Sequence, residues 1–170
     1  MATTFQLRVW TRFLAPVEEV WALKTDPAAI QAEFRPWMSF CLPEGDGLAR
    51  ALAGDVPVDL ACSLRLGRVL PVAWPARVVS AVKHQSYRDT STNALYSRFE
   101  HDHLFETTPD GCRYIDAVTF TSTAPAQKMF AIATQRLFQH RHTVAAKRLP
   151  TDPQATAVAV LRVLVEEEAA

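Results

Sequence analysis

Hydrophobic and polar residues alternate along much of this chain, and a period of two is typical of β-strands that bury one face. The first such segment runs from Phe5 to Phe13, and a second runs from Val58 to Leu66. A third has a predicted inner face that comprises Trp74, Ala76, Val78, Ser80, Val82 and His84. Between the first two strands, Pro16 and the pair Asp26-Pro27 are residue types that begin helices. Two short helices are therefore predicted, from Pro16 to about Lys24 and from Asp26 to about Phe34.

The clearest alternation lies between Leu95 and Phe120. Its first arm has two faces: one carries Leu95, Ser97, Phe99, His101, His103 and Phe105, and the other carries Tyr96, Arg98, Glu100, Asp102 and Glu106. The residues Pro109-Asp110-Gly111 are typical of a tight turn, so the two arms are predicted to form a β-hairpin. If Thr108 pairs with Gly111, three inward pairs follow: Phe105 with Tyr114, His103 with Asp116, and Phe99 with Phe120. The sequence thus predicts two histidines and an aspartate on an otherwise apolar wall.

From Pro125 the apolar spacing changes to three and four residues, which predicts one long amphipathic helix from Pro125 to Leu149. Its apolar positions are Phe130, Ala133, Leu137, Phe138, Val144 and Ala145. The segment from Arg35 to Gly54 is rich in proline and glycine and is predicted to be a loop, with a strand at Gly47 to Leu52. The residues after Pro150 combine a helix start signal with strand-favouring valines, so their secondary structure stays open. Residues 1–150 are predicted to form one domain and residues 151–170 a C-terminal extension.

Composition limits the classes of function. The 170 residues fit one domain, and 18 basic residues balance 18 acidic ones. A neutral chain lacks the positive charge that attracts a phosphate backbone, so nucleic-acid binding is not expected. The three cysteines are odd in number and have no CxxC spacing, which argues against a disulfide framework and favours the cytoplasm. The longest apolar run, residues 157–165, is too short to span a membrane, and no secretory signal pattern is apparent.

Several segments resemble a known superfamily. Phe13-Leu-Ala-Pro-Val-Glu-Glu-Val-Trp21, followed by Thr25-Asp-Pro27, resembles the opening of START-like or SRPBCC proteins, the superfamily of polyketide cyclase/dehydrase and lipid-transport proteins. The segments Phe99–Phe105, Tyr114–Phe120 and Leu137–Arg141 are similar to a bacterial branch described as ligand-binding SRPBCC or cell-division-inhibitor-like proteins. The resemblance covers roughly residues 3–148.

The resemblance implies an α+β helix-grip fold. In this fold a curved antiparallel sheet wraps around a long C-terminal helix, and two short helices follow the first strand. The resemblance also implies a deep apolar cavity between the sheet and the long helix. Members of the superfamily range from lipid carriers and hormone receptors to aromatase/cyclases, so a fold can be transferred to this chain more readily than an activity.

The pair His103 and Asp116 is the main candidate for function. Opposed residues of a hairpin bring their Cβ atoms to about 5 Å, close enough for a carboxylate to orient an imidazole and raise its basicity. Together with His101, the pair could be a buried polar contact that fixes strand register, a polar contact to a ligand, or an acid/base pair in catalysis. The residues themselves leave these three alternatives open.

The two histidines also have a spacing that metal ligands use. In His101-x-His103 both imidazoles leave the same face of a strand, about 6.6 Å apart. Asp116 or His84 would complete a three-ligand site. The sequence fixes neither residue in that role, so no metal and no other cofactor is predicted.

Arg141 is the third candidate for function. It shares the apolar face of the long helix with Leu137, so it is expected to point toward the sheet. A buried guanidinium needs a partner, and the two alternatives are Asp116 and a ligand carboxylate. His140 and His142 leave the helix in other directions and are predicted to face solvent.

The leading hypothesis is a cytoplasmic protein that binds a small hydrophobic or amphipathic molecule between the sheet and the long helix. The predicted ligand-binding residues are Phe99, His101, His103, Phe105, Tyr114, Asp116, Phe120, Leu137 and Arg141. One alternative is a cyclase/dehydrase-like or hydrolase-like enzyme that uses His103 and Asp116 as its acid/base pair. Another is an interaction or regulatory protein whose cavity is filled by side chains. A homodimer formed through residues 151–170 is a further expectation.

Overall fold

The fold is built on one antiparallel sheet. The computed structural model describes residues 2–67, 70–122 and 127–164. Within these residues the strands are β1 Thr3–Phe13, β2 Met38–Cys41, β3 Val58–Leu66, β4 Leu70–Val82, β5 Ser86–Ser91, β6 Arg98–Thr108, β7 Gly111–Ser122 and β8 Val158–Leu164. The helices are α1 Val17–Thr25, α2 Pro27–Glu33, α3 Gly47–Leu52 and α4 Gln127–Ala146, and a short 3-10 helix spans Pro153–Ala155.

The strands follow the order β2-β3-β4-β5-β6-β7-β1-β8. Every neighbouring pair is antiparallel. Strands β6 and β7 form the hairpin, and its predicted register is confirmed: Thr108 pairs with Gly111, Phe105 with Tyr114, His103 with Asp116, and Phe99 with Phe120. Because opposed residues send their side chains to the same face, this register brings His103 and Asp116 together on the inner face of the sheet.

The two predicted short helices are present as α1 and α2. The Asp26 carboxylate caps α2 by accepting the Ala29 amide at 2.8 Å, and Pro27 occupies the first turn, where an amide hydrogen would have no helical partner. The long helix α4 confirms the change of period, although residues 125–126 of its predicted start lie outside the described residues. Among the described residues, no helix has both the length and the hydrophobicity needed to span a membrane.

The predicted strand at Gly47–Leu52 is wrong, because this segment forms helix α3. Leu48 and Ala51 are three residues apart, so a helical turn brings both to one side, where they pack with Leu60 of β3 in a buried apolar cluster. Gly47 suits this close approach, since a Cβ atom there would lie 3.0 Å from Leu60 Cδ2. Strand β2, inside the segment predicted to be a loop, pairs with β3.

The predicted alternation fails at the start of the hairpin. Strand β6 begins only at Arg98. The Asn93 side chain accepts the amides of Leu95 and Tyr96, which folds the residues before the strand into a turn. As a result Tyr96 is buried and Ser97 is exposed, the reverse of the predicted faces.

The predicted inner face of β4 is also interrupted. A bulge between Val78 and Ser80 shifts the pairing of β4 with β5. A bulge inserts one extra residue, so it reverses the direction of every side chain that follows it. Ser80 and Val82 are therefore exposed, whereas Ala76 and Val78, before the bulge, are buried as predicted.

Helix α4 lies against the sheet, where it contacts β1, β7 and β8, and it also contacts α2. This is the predicted helix-grip arrangement, an α+β fold. Two buried apolar clusters fill the interior: one contains Phe5, Leu7, Val9, Phe99, Val118, Phe120, Ala131 and Phe138, and the other contains Phe13, Val20, Trp21, Tyr87, Phe105, Cys112, Tyr114 and Ala145. Along β6, the two histidines lie between Phe99 of the first cluster and Phe105 of the second.

The residues after Pro150 continue the sheet. Thr151 forms an isolated bridge with Phe13, the 3-10 helix follows, and β8 then pairs antiparallel with β1. Ala159 and Leu161 of β8 pack against the first apolar cluster. The strand-favouring valines therefore decide the secondary structure of this segment, and residues 165–170 of the predicted extension lie outside the described residues.

Candidate functional site

A cavity of about 370 Å³ lies between the inner face of the sheet and helices α2 and α4. Its walls are mostly apolar and include Ile30, Phe34, Trp37, Phe40, Leu48, Leu60, Trp74, Val78, Leu95, Tyr96, Phe99, Phe130, Leu137 and Phe138. The charged and imidazole side chains that line it are Asp89, His101, His103 and Arg141. Cavities of a few hundred Å³ with this mixture of surfaces are typical of small-molecule sites.

Five of the nine residues predicted to bind a ligand line this cavity: Phe99, His101, His103, Leu137 and Arg141. The other four are buried outside its lining: Phe105, Tyr114, Asp116 and Phe120. Three of these four belong to β7, which α4 contacts directly. They are therefore enclosed by the helix and do not reach the open space beside it.

Asp116 is fully buried and accepts hydrogen bonds through both carboxylate oxygens. His101 Nε2 lies 2.9 Å from Oδ1, His142 Nε2 lies 3.1 Å from Oδ2, and the Tyr114 hydroxyl donates to Oδ1. Burial alone would raise the pKa of this carboxyl, but the charge of His101 and the imidazole hydrogen bonds hold the pKa of Asp116 well below its ordinary value. Asp116 is therefore an ionised carboxylate, which can only accept hydrogen bonds.

The prediction that His142 faces solvent is wrong, since this side chain is only 1% exposed. Its Nε2 donates to Asp116, so its Nδ1 accepts the Thr11 hydroxyl at 2.9 Å, and Thr11 Oγ1 in turn accepts the Ala157 amide at 3.0 Å. Burial lowers the pKa of His142, in agreement with a neutral imidazole. The predicted buried stripe of α4 was too narrow, because the helix packs against β1 and β7 on one side and against α2 on another.

The hydrogen bonds also identify the donors on β6. His101 Nε2 donates to the Asp116 carboxylate, and burial, followed by the charge of His103, lowers the pKa of His101. Burial and the Asp116 charge raise the pKa of Tyr114, so its hydroxyl keeps the proton that it donates to Asp116. The Tyr114 oxygen then accepts from His103 Nδ1 at 2.7 Å.

The predicted acid/base pair, His103 and Asp116, is close in space, but Tyr114 is the nearer partner of His103. His103 Nδ1 is 3.3 Å from Asp116 Oδ1, farther than it is from the Tyr114 hydroxyl. The two residues are thus linked mainly through Tyr114. Catalysis by His103 and Asp116 stays a prediction.

Asp89 of β5 is a candidate that the sequence reasoning missed. Its Oδ2 lies 3.0 Å from His103 Nε2 and 3.5 Å from His101 Nδ1, and its carboxylate lines the cavity. Burial raises its pKa, but the hydrogen bond with His103 and the charges of His101, His103 and Arg141 more than offset this, so the pKa of Asp89 lies below its ordinary value. The available signal was the spacing of two from buried Tyr87, which places Asp89 on the inner face of β5.

Arg141 forms the predicted internal ion pair, but its partner is Glu33 of α2 rather than Asp116. Arg141 Nε lies 3.2 Å from Glu33 Oε2, and Lys24 Nζ lies 2.5 Å from Glu33 Oε1. All three side chains are buried, and the guanidinium also lies over the Phe34 ring, 4.8 Å from its centroid. Glu33 could not be identified from the sequence, because the ion pair depends on the contact between α2 and α4.

Comparison with known proteins identifies the family of this chain. Residues 11–149 match the family described as Domain of unknown function (DUF8410). The chain belongs to this family. No curated protein sequence matches this DUF8410 member.

Solved structures share the fold of this DUF8410 member. Protein CV1439 from Chromobacterium violaceum has a TM-score of 0.67 at 16% identity, with 86% of this chain and 98% of that chain covered. The di-domain ARO/CYC BexL from the BE-7585A biosynthetic pathway has a TM-score of 0.63 at 19% identity, with 88% of this chain and 51% of that chain covered. Ara h 8.0201 has a TM-score of 0.57 at 11% identity, with 85% and 99% covered.

At these identities the likeness establishes the fold alone. The helix-grip fold of the DUF8410 member is therefore shown. Membership of the SRPBCC superfamily stays a prediction. The narrower assignment to a ligand-binding or cell-division-inhibitor-like branch stays a prediction.

The cavity of this DUF8410 member combines two kinds of surface. Its aromatic and aliphatic walls can bury a hydrophobic body, and Asp89, His103 and Arg141 can form hydrogen bonds with one polar group. Trp37 lines the cavity and is 51% exposed, so it lies where the cavity meets solvent.

Proposed function

We propose that this protein binds a small hydrophobic or amphipathic molecule in the cavity between the sheet and helix α4. The observation that carries the proposal is a cavity of about 370 Å³ with mostly apolar walls. Protein interiors are normally packed as densely as organic crystals, and an unfilled apolar space lowers stability. A space of this size is therefore more readily explained by a ligand than by packing.

Apolar burial would supply most of the binding free energy. Each Å² of apolar ligand surface removed from water contributes about 25 cal/mol, before the cost of immobilising the ligand is subtracted. The flat rings of Phe34, Trp74 and Phe99 line the cavity and favour an aromatic or polycyclic body over a flexible one.

The polar group of an amphipathic ligand would lie at the wall formed by His103, Asp89 and Arg141. Arg141 is fixed in place by Glu33, so it offers a donor whose position does not have to be ordered on binding. The shared fold supports the same proposal at a coarser level, because BexL, one of the structural neighbours, is an ARO/CYC protein of a biosynthetic pathway.

The proposal is tested by filling the cavity with a side chain. Ala76 lies on the inner face of β4 and lines the cavity, whereas Ala73 lies on the exposed outer face of the same strand. We expect Ala76→Phe to weaken binding of the amphipathic fluorophore 1-anilinonaphthalene-8-sulfonate at least tenfold, because the new ring occupies the ligand's volume. Ala73→Phe is the matched control and should bind as the wild type does. Fluorescence titration measures both affinities, and native mass spectrometry identifies any molecule that co-purifies.

Circular dichroism must show that each variant is folded, because this fluorophore also binds partly unfolded states. Ala133→Phe, on the helix side of the cavity, gives a second filling variant should Ala76→Phe lose its structure. Equal affinities in the folded filling variants and the control would contradict the proposal. So would a wild-type protein that shows neither saturable binding nor a co-purified molecule.

A further inference from the structure

We infer that Asp89, His101 and His103 form a binding site for one divalent transition-metal ion in the wall of the cavity. One ligand atom from each of the three residues lies within 4.8 Å of the other two. The atoms closest to Asp89 Oδ2 are His103 Nε2 and His101 Nδ1. The inference goes beyond the proposed function and does not depend on it, since metal binding can be measured without any organic ligand.

The distances from Asp89 to the two histidines suit a metal ion. Two ligands about 2.1 Å from a metal, at angles between 90° and 110°, lie about 3.0–3.4 Å apart. Asp89 Oδ2 is 3.0 Å from His103 Nε2 and 3.5 Å from His101 Nδ1. Asp89 pairs directly with His101 across β5 and β6, and His103 follows two residues later on the same face, so rigid strands position all three ligands.

The hydrogen bonds of the two histidines orient their remaining ring nitrogens toward Asp89. His101 Nε2 donates to Asp116 and His103 Nδ1 donates to the Tyr114 oxygen. His101 Nδ1 and His103 Nε2 are thus the ring nitrogens that face Asp89 Oδ2, and His103 Nε2 forms a hydrogen bond with this oxygen at 3.0 Å. A metal ion bound by the three residues would take the place of that hydrogen bond.

The buried charges favour the same position for a cation. Glu33 directly contacts both buried cations, Lys24 and Arg141. The carboxylates of Asp89 and Asp116 are approached directly by imidazoles and not by a lysine or an arginine among the ion pairs of the described residues. The Arg141 charge also lowers the pKa of Asp89, but Arg141 forms its ion pair with Glu33. Two carboxylates in contact only with imidazoles therefore favour a metal cation at this end of the cavity.

The outer partners of the two histidines are those that metal-bound histidines usually have. A histidine that binds a metal through one nitrogen donates its other N–H to a carboxylate or another fixed acceptor, which orients the ring. His101 has Asp116 in this role at 2.9 Å, and His103 has the Tyr114 hydroxyl at 2.7 Å. Asp116 is in turn held by His142. The supporting contacts are therefore complete on both imidazoles.

Two imidazoles and one carboxylate favour ions such as Zn²⁺, Co²⁺ or Fe²⁺ over Mg²⁺ and Ca²⁺, which prefer oxygen ligands. Three protein ligands also leave at least one coordination position. Because all three ligands line the cavity, that position faces the space proposed for the small molecule. A polar group of the ligand, or water, could then complete the coordination.

The test uses the full chain after treatment with EDTA and dialysis. We expect isothermal titration with Zn²⁺ alone to give one equivalent of saturable binding. Asp89→Asn and His103→Gln should each weaken it at least tenfold, because each removes one ligand with little change of shape. His140→Gln is the matched control, since this imidazole contacts the Arg35 carbonyl outside the cavity, and its affinity should equal that of the wild type.

Titration of the wild type with Co²⁺ supplies a readout that needs no variant. Visible absorption without a sulfur-to-cobalt charge-transfer band supports ligation by nitrogen and oxygen. A strong charge-transfer band would place the ion on a cysteine such as Cys62, which also lines the cavity, and would overturn the inference. Non-saturating Zn²⁺ binding, or equal affinity in Asp89→Asn, His103→Gln and wild type, would overturn it as well.

The two proposals can fail separately. Fluorophore binding is measured on EDTA-treated protein, and Zn²⁺ binding is measured without fluorophore. Retained fluorophore binding with no Zn²⁺ binding removes only the metal site. Retained Zn²⁺ binding in a protein that binds no fluorophore removes only the proposed function.

Discussion

At the scale of single residues, Asp116 shows how a carboxylate is accommodated in the interior. An unpaired buried charge costs several kcal/mol, yet Asp116 has no exposed surface. Its two oxygens accept hydrogen bonds from His101, His142 and the Tyr114 hydroxyl, so the charge is compensated by donors. These bonds also fix which ring nitrogen of His101 and of His142 donates a proton. Asp116 therefore orients the His101 ring at the cavity wall, although Asp116 itself does not line the cavity.

The surroundings of His142 determine its response to acid. Asp116 accepts from Nε2, Thr11 donates to Nδ1, and the Tyr114 ring stacks on the imidazole. Burial lowers the pKa of His142 most, the Asp116 charge and hydrogen bond oppose this, and the Lys24 charge lowers the pKa further. A second proton on His142 would lie on Nδ1, where the Thr11 hydroxyl already donates.

We therefore predict that acid destabilises the protein below about pH 6.5, the pKa of histidine in an unfolded chain. Between the lowered folded pKa and this value, the unfolded state binds more protons, so the free energy of unfolding falls as the pH falls. One such histidine contributes a slope of up to about 1.4 kcal/mol per pH unit. His142→Gln should lose this contribution, while His140→Gln, two residues away, should keep it. Urea unfolding between pH 8 and pH 5 measures the slopes, and identical slopes for both variants would contradict the assignment.

At the scale of elements, the hairpin of β6 and β7 was predictable because its determinants are local. The Pro109-Asp110-Gly111 turn sets the register, and a period of two then assigns the inner face of both arms. This reasoning placed His101, His103 and Asp116 correctly on the inner face. It failed before Arg98, where the Asn93 side chain accepts the Leu95 amide and a turn replaces the alternation.

The remainder of the site could not be predicted because it depends on contacts between elements distant in sequence. Glu33 meets Arg141 only because α2 packs on α4, and Asp89 meets the histidines only because β5 pairs with β6. The burial of His142 needs β1, β7 and α4 together. The sequence indicates which face of each helix or strand is apolar, but it does not show which of these faces pack against each other.

Gly111 lies in the turn of the hairpin, where the structure leaves no room for a side chain. Gly111 has a φ of 151°, and a Cβ atom at this position would contact the Phe13 carbonyl and lie 2.8 Å from the Ala15 amide nitrogen. The turn therefore packs against the junction between β1 and α1 with no space for a side chain. We expect Gly111→Ala to destabilise the protein by at least about 2 kcal/mol, from backbone strain and steric overlap together.

Gly45→Ala separates these two causes. Gly45 also has a positive φ, 107°, but no heavy atom lies within 4 Å of the Cβ position. Only the strain remains, and we expect a loss of about 1 kcal/mol. Thermal unfolding measures the loss of stability in both variants. Equal losses would show that the close approach of Phe13 and Ala15 does not exclude a side chain at position 111.

At the scale of the whole molecule, the first and the last described strands pair at one edge of the sheet. Strand β8 pairs with β1, and the Ala157 amide donates to Thr11, which donates in turn to His142. The segment after Pro150 is thus connected to the polar network beside the cavity. Strand β8 is also the terminal strand of the sheet within the described residues, and a terminal strand can pair with another chain. The homodimer through residues 151–170 stays a prediction.

Strand β8 contributes apolar side chains to the core that β1 also lines. Leu161 lies opposite Leu7 of β1 and packs against the first apolar cluster, whereas Val160 is 40% exposed on the other face. We expect Leu161→Thr to lower the free energy of unfolding by about 1–2 kcal/mol, because it removes apolar contacts and places a hydroxyl against the core. Val160→Thr, the matched control in the neighbouring position, should change it by less than about 0.5 kcal/mol. Urea unfolding at pH 7.5 measures both. If the two variants were equally stable, β8 would only cover the edge of β1, and residues 1–150 would be expected to fold without it.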